Sequence, residues 1–99
     1  ANRAARMLDL ASGPGEPSKL FATELPDLHV TCTDVASDMV EAARRRTAGL
    51  PHVTCEVVDM EDMSQFASST FDLVTCSYGY MFVDLDKALA ETRRVLRPG

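Results

Sequence analysis

Three carboxylates and one run of small residues are the positions in this 99-residue sequence whose types and spacing suit chemistry. The run is Asp9-Leu10-Ala11-Ser12-Gly13-Pro14-Gly15-Glu16-Pro17. Gly13 and Gly15 have no Cβ, so each can take positive φ and let a ligand approach the backbone where a larger side chain would stand in the way. Pro14 stiffens the loop, and Pro17 suits a helical first turn, where its missing N–H removes no hydrogen bond. The free N–H groups of that turn would face the loop. The same residues also spell an ordinary tight turn that binds nothing. The acids weigh on that choice. Asp34, about twenty residues beyond the loop, can accept from both hydroxyls of a ribose. Asp59 can accept from an exocyclic amine such as that of adenine, with Met60 as an apolar neighbour. Asp9, beside the loop, would attract a cationic ligand group, whereas so many acids would repel a diphosphate. Taken singly, each acid also reads as a helix cap or a solvated turn residue.

These side chains meet only if parallel strands bring their ends together, and the rest of the sequence is patterned for that. Residues 6–11 read as a first strand, and 17–25 as a short helix whose Leu20, Phe21 and Leu25 share a face. Residues 29–34, rich in β-branched side chains, form a second strand closing on Asp34. A helix over 37–48 has Ser37 as N-cap, Asp38 in its first turn and Met39, Val40 and Ala43 as its inward stripe. Glu41 and Arg45 make an i,i+4 pair on it. Arg44, Arg45 and Arg46 suit its end, with Gly49 and Pro51 beyond. A third strand over 53–58 ends at Asp59, and 60–67 reads only as a turn or short helix. A fourth strand covers 71–77. A final helix over 84–96 is capped by Asp84, carries Leu85, Leu89, Thr92 and Leu96 in register, and ends among Arg93, Arg94 and Arg97. This alternation predicts an α/β fold: a Rossmann-like parallel sheet flanked by helices, with right-handed crossovers and four strands in the order 3-2-1-4.

Composition narrows the function classes. One domain over 1–99 is all the length allows, burying roughly 60–70% of its unfolded surface. Apolar residues at 45% and charged residues at 25% describe an ordinary globular domain. A net charge of −5 argues against nucleic-acid binding, which needs a basic face. The apolar runs are too short for a membrane span, and the first ten residues lack a signal-peptide pattern. Cys32, Cys55 and Cys76 show no metal-ligand spacing and read as small buried hydrophobes in strands, which suits a reducing, cytoplasmic setting. His29 and His52, each just before a strand, read as loop residues.

As a spaced set, the motifs resemble the class I S-adenosylmethionine-dependent methyltransferases of small-molecule type. The core of that family reads D-L-G-C-G-T-G, a strand ending in D with a helix entered near a methionine, a strand ending in D, then F-D-L-V and R-V-L-K-P-G. The counterparts here are Asp9-Leu10-Ala11-Ser12-Gly13-Pro14-Gly15, Asp34 with Met39, Val58-Asp59-Met60, Phe71-Asp72-Leu73-Val74, and Arg94-Val95-Leu96-Arg97-Pro98-Gly99. The resemblance implies S-adenosyl-L-methionine as cofactor. Ala11, Gly13 and Gly15 would lie against its methionine part, with Asp9 near its amino group. Asp34 would hold the ribose, with Val35 and Met39 flanking ribose or adenine. Asp59 would accept from the adenine amine, Met60 would offer its backbone, and Ser77 would close the site from the fourth strand. Ala11 replaces the family's first loop glycine, which a methyl group tolerates if that residue keeps negative φ.

The implied reaction is an in-line displacement at a sulfonium methyl by a small-molecule acceptor, which makes no side chain obligatory as a catalyst. Tyr78, Tyr80 and Asp84 lie where an acceptor could dock, but a stacked aromatic or a helix cap explains them equally. The run Thr75-Cys76-Ser77-Tyr78-Gly79-Tyr80 differs from the Asn/Asp-Pro-Pro-aromatic pattern of enzymes that methylate nucleobase or glutamine amino groups. The family continues with three more strands where this sequence stops, so a cofactor-binding part of a larger catalytic domain is expected, inactive alone, with its fourth strand free to pair with another chain. Two rivals remain. A nicotinamide-dependent oxidoreductase would want a third glycine where Ser18 stands and has no use for Asp59, and a non-catalytic nucleoside-binding module would keep the fold without turnover.

Overall fold

Short β-branched runs alternating with helices give four parallel strands with helices on both sides. The computed structural model describes residues 5–76 and 79–98. In chain order the elements are β1 (Arg6–Leu10), α1 (Glu16–Glu24), β2 (His29–Asp34), α2 (Ser37–Arg46), β3 (Val53–Val57), β4 (Leu73–Cys76), a 3-10 helix (Gly79–Phe82) and α3 (Leu85–Val95). Every strand pair is parallel and the order is β3-β2-β1-β4, as the alternation predicts. Asp9 pairs with Cys32 and Asp34 with Val57, so the ends of β1, β2 and β3 reach one edge together.

Strand β1 is central, and alternation along it sends side chains to two cores. Leu8 and Leu10 join Val58, Met60, Met63, Phe71, Ala88 and Val95 on the α3 side. Met7 joins Leu28 and Val30 on the other side, with Phe21 and Ala22 of α1 against them.

The helices exist where expected, but two of them turn a different face inward. On α1 the inward stripe is buried Ser18 with half-buried Phe21 and Ala22, while Leu20 and Leu25 are 60% and 52% exposed. On α3 it is Ala88, Thr92 and Val95, while Leu85 and Leu89 are about half exposed. In both helices a small residue, Ser18 or Ala88, is fully buried, and the i, i+3, i+4 geometry then selects its partners. Leu20, two positions beyond Ser18, falls about 160° around its helix, and Leu89, next to Ala88, about 100° around its own. Ser37 is the first residue of α2 and not its cap; Ala36 takes the cap position without a side-chain bond. Glu41 pairs with Arg44 and not with Arg45. Asp84 does cap α3, accepting from the Lys87 N–H at 3.2 Å.

Residues 60–67, which carry no readable period, form turns held from a distance. Arg94 donates to the carbonyls of Met63 (2.8 Å) and Phe66 (2.9 Å), and Glu91 accepts from the Met63 N–H at 2.6 Å. The three cysteines are free, and the rings of His29 and His52 stack at 4.5 Å.

Candidate functional site

The glycine loop is tied to the end of β2. The Ser12 N–H and hydroxyl both donate to the Thr33 carbonyl at 2.8 Å. The Gly13 N–H donates to one carboxylate oxygen of Asp34 at 2.9 Å, and the Ala36 N–H donates to the other at 3.0 Å. From the opposite side the Arg46 side chain donates to the Pro14 carbonyl at 3.1 Å and approaches Glu16 at 3.6 Å. The last arginine of the basic run therefore fixes the loop as well as suiting the end of α2.

Three residues of the loop are left-handed: Ala11 (φ 52°), Gly13 (φ 56°) and Gly15 (φ 88°). Positive φ at the glycines matches expectation, but the condition under which a methyl at Ala11 is tolerated without strain, a negative φ, is not met. An alanine there carries a cost of about 1–2 kcal/mol. Its methyl is accommodated by Gly79, where an added Cβ would lie 2.7 Å from the Ala11 Cβ and 2.7 Å from the Cys76 sulfur. Gly15 lets α2 pack against the loop, since an added Cβ there would meet the Ala43 Cβ at 2.9 Å and its Cα at 3.1 Å. Of the two loop glycines, Gly13 faces open space.

Beside the loop lies a cavity of about 580 Å³ at the strand ends, within the size range of small-ligand sites. Leu10 and Ala11 floor it, Asp34 and Val35 form one wall, and 58–61 form a second. Gly79, Phe82 and Val83 form a third. Asp34 and Asp59 thus open on one space. The Asp59 carboxylate accepts from the Glu61 N–H at 2.9 Å. Val35 and Phe82 present 69% and 82% of their surface, so the rim is apolar while three acids, Asp34, Asp59 and Glu61, stand at the walls.

Of the residues singled out from the sequence, Ala11, Asp34, Val35, Asp59 and Met60 line this cavity. Gly13 reaches it only through its bond to Asp34. Met39 is half-buried on α2 and absent from the lining. Ser77 lies outside the described residues. Asp9 points to the other side of the sheet, into a groove it shares with Glu16, Leu20 and Thr75. It is 3% exposed and accepts from the Ser18 hydroxyl at 2.7 Å and the Thr75 hydroxyl at 3.0 Å. Burial raises its pKa above the ordinary carboxylate value, and those two hydrogen bonds oppose the rise. Besides Leu10 and Val58, quoted only as motif residues, the lining residues that sequence reasoning missed are Glu61, Gly79, Phe82 and Val83. A glycine between tyrosines was a signal for close backbone approach at Gly79; the other three carry no local mark.

Three acids on a nucleoside-sized cavity beside a positive-φ loop narrow the chemistry, and comparison with known proteins decides the family. Residues 7–99 match the family model of a methyltransferase domain. The chain belongs to the class I S-adenosylmethionine-dependent methyltransferases. S-adenosyl-L-methionine is the cofactor of that family. Among curated relatives, the ubiquinone/menaquinone biosynthesis C-methyltransferase UbiE of Desulfotalea psychrophila is 38% identical over 99 residues, covering 97% of this chain and 39% of the relative. The chain therefore spans about two fifths of the length of the curated relatives it matches. Among solved structures, YcgJ of Bacillus subtilis superposes with a TM-score of 0.84 at 31% identity, over 96% of this chain and 41% of that one. A phosphoethanolamine N-methyltransferase of Haemonchus contortus, crystallised with S-adenosyl-L-methionine, superposes with a TM-score of 0.82 at 28% identity, over 100% of this chain and 23% of that one.

Proposed function

We propose that this chain is the cofactor-binding core of a larger methyltransferase and holds S-adenosyl-L-methionine in the 580 Å³ cavity for transfer of its methyl group to a small molecule. The observation that carries the reading is the meeting of Asp34 and Asp59 on one cavity floored by the end of β1. The bound cofactor supplies an electrophilic methyl on a sulfonium, and the protein supplies alignment and exclusion of water. Asp34, already oriented by two backbone N–H groups, keeps lone pairs for a pair of ribose hydroxyls. Asp59 offers an acceptor to an exocyclic amine, and the Met60 backbone extends the same edge. Val35 and Phe82 supply apolar faces for a flat base. Ala11 and Gly13 place the loop backbone, and Gly15 lets α2 support it. Asp9 braces α1 and β4 through Ser18 and Thr75, so its influence on a cationic amino group is exerted from behind the loop. Met39 and Ser77 remain as flanking positions proposed from the resemblance.

The acceptor is proposed to be a small organic molecule and not a nucleic acid, in keeping with the net charge of −5. A carbon acceptor from quinone biosynthesis is the first to assay, given the 38% identical relative. No helix among the described residues is long and apolar enough to cross a membrane. Free thiols support a reducing, cytoplasmic location. The outer edge of β4, where Leu73 is 45% exposed, supports pairing with a further strand or a second chain. The oxidoreductase reading loses its main support because Ser18 is fully buried and bonded to Asp9, where that fingerprint wants a glycine against the sheet.

Isothermal titration with S-adenosylhomocysteine and with NAD tests the proposal. We expect saturable binding of the first and none of the second. Loss of a hydrogen bond to a charged acceptor costs about 1.5–3 kcal/mol, so Asp34→Ala should weaken binding by about 10- to 100-fold. Binding of NAD without S-adenosylhomocysteine would reject the reading.

A further inference from the structure

Glu61 was not among the residues read as functional, yet it touches both sides of the cavity. Its N–H donates to the Asp59 carboxylate at 2.9 Å, and its own carboxylate accepts from the Asp84 N–H, 23 residues away, at 3.1 Å. Asp84 ends the segment that carries Gly79, Phe82 and Val83, the third wall of the cavity. The start of that segment is anchored elsewhere. The Thr92 hydroxyl donates to the Ala88 carbonyl and accepts from the Tyr80 hydroxyl at 2.7 Å, which fixes Tyr80 to α3. Phe82 itself makes no comparable anchor, being 82% exposed while lining the cavity.

We propose that Glu61 is a positioning residue of the cofactor pocket, tying the turn that carries Asp59 to the Gly79–Phe82 helix and the start of α3 so that Phe82 and Val83 stand opposite Val35. The proposal rests on the cofactor reading above and adds a residue to it. The two bonds make the distance between the acid wall and the apolar wall depend on one side chain. A flat base held between Val35 and the Phe82 side needs that spacing fixed, because dispersion contacts lose a quarter to a half of their strength over a gap of about 0.5–1 Å. Removing the carboxylate frees the Asp84 N–H and leaves the wall to the packing of Val83 and the Tyr80–Thr92 bond at its start. Glutamine keeps a carbonyl oxygen of the same reach and accepts the same bond.

The test uses Glu61→Ala and Glu61→Gln with two readouts. Amide hydrogen exchange of Asp84 in the ligand-free protein should speed up in E61A and stay near wild type in E61Q. The dissociation constant for S-adenosylhomocysteine should rise about 3- to 10-fold in E61A and change less than about 2-fold in E61Q. Unchanged Asp84 exchange in E61A overturns the clamp and leaves the cofactor reading standing. Faster exchange with unchanged affinity overturns the positioning role, as does an equal affinity loss in E61Q and E61A, which would assign the effect to charge. A wild-type protein that binds no S-adenosylhomocysteine refutes the cofactor reading, and the positioning role with it.

Discussion

Replacing Gly15 by alanine isolates what the loop demands of its backbone. At φ 88° a side chain is strained whatever the space around it, at a cost of about 1–2 kcal/mol. The added Cβ also lies 2.9 Å from the Ala43 Cβ and 3.1 Å from the Ala43 Cα, so relief requires α2 itself to move away from the loop. Overpacking of that kind costs about 1–3 kcal/mol. The unfolded chain loses freedom when glycine becomes alanine, which returns about 0.4–1 kcal/mol. The net expectation is a loss of about 2–4 kcal/mol. Gly13→Ala is the matched control: φ is again positive, at 56°, but nothing lies within 4 Å of the added Cβ. Only the conformational part applies there, about 1 kcal/mol or less after the same unfolded-state correction. Urea denaturation of the two variants, compared at constant m-value, measures the difference. Because moving α2 also draws Arg46 away from the Pro14 carbonyl, Gly15→Ala should weaken S-adenosylhomocysteine binding as well. If Gly15→Ala costs no more than Gly13→Ala, the close approach of α2 is not what the glycine provides and the packing argument fails.

Two further outcomes follow from side chains that brace the site. Asp9 is held above the ordinary carboxylate pKa by burial, so the stability it permits is full below that ordinary value and is lost as pH rises through the raised folded value. Asp9→Asn should therefore gain stability relative to wild type as pH rises across that window, and a pH-independent difference in urea midpoint would refute the assignment. Arg94, which holds the carbonyls of Met63 and Phe66, also keeps Glu91 below its usual pKa through their hydrogen bond. Arg94→Met should lower the urea midpoint, speed amide exchange at Met63 and Phe66 while leaving β1 protected, and weaken the contribution from Glu91 that wild type loses as pH falls; unchanged exchange there would sink the clamp.

The sequence alone determined the strand order, the parallel alternation and the position of each acid, because β-branched runs ending in Asp34 and Asp59 and a loop of Gly13 and Gly15 are local patterns. Helix existence was equally local, down to the capping of α3 by Asp84. Tertiary structure alone decided which helix face turns inward, since the small Ser18 and Ala88 are fully buried while the larger Leu20, Leu85 and Leu89 are not. It also decided which acids share a cavity. Asp9 and Asp34 both end up beside the loop, but strand alternation sends Asp9 to the α1 side, where two hydroxyls consume it, while Asp34 opens on the cavity with Asp59. The bonds of Glu61 to Asp84 and of Arg94 to Met63 join residues 23 and 31 positions apart, and no spacing rule reaches that far. Such contacts exist only after the sheet has brought distant segments together, which is why the acids could be read in advance and the walls that face them could not.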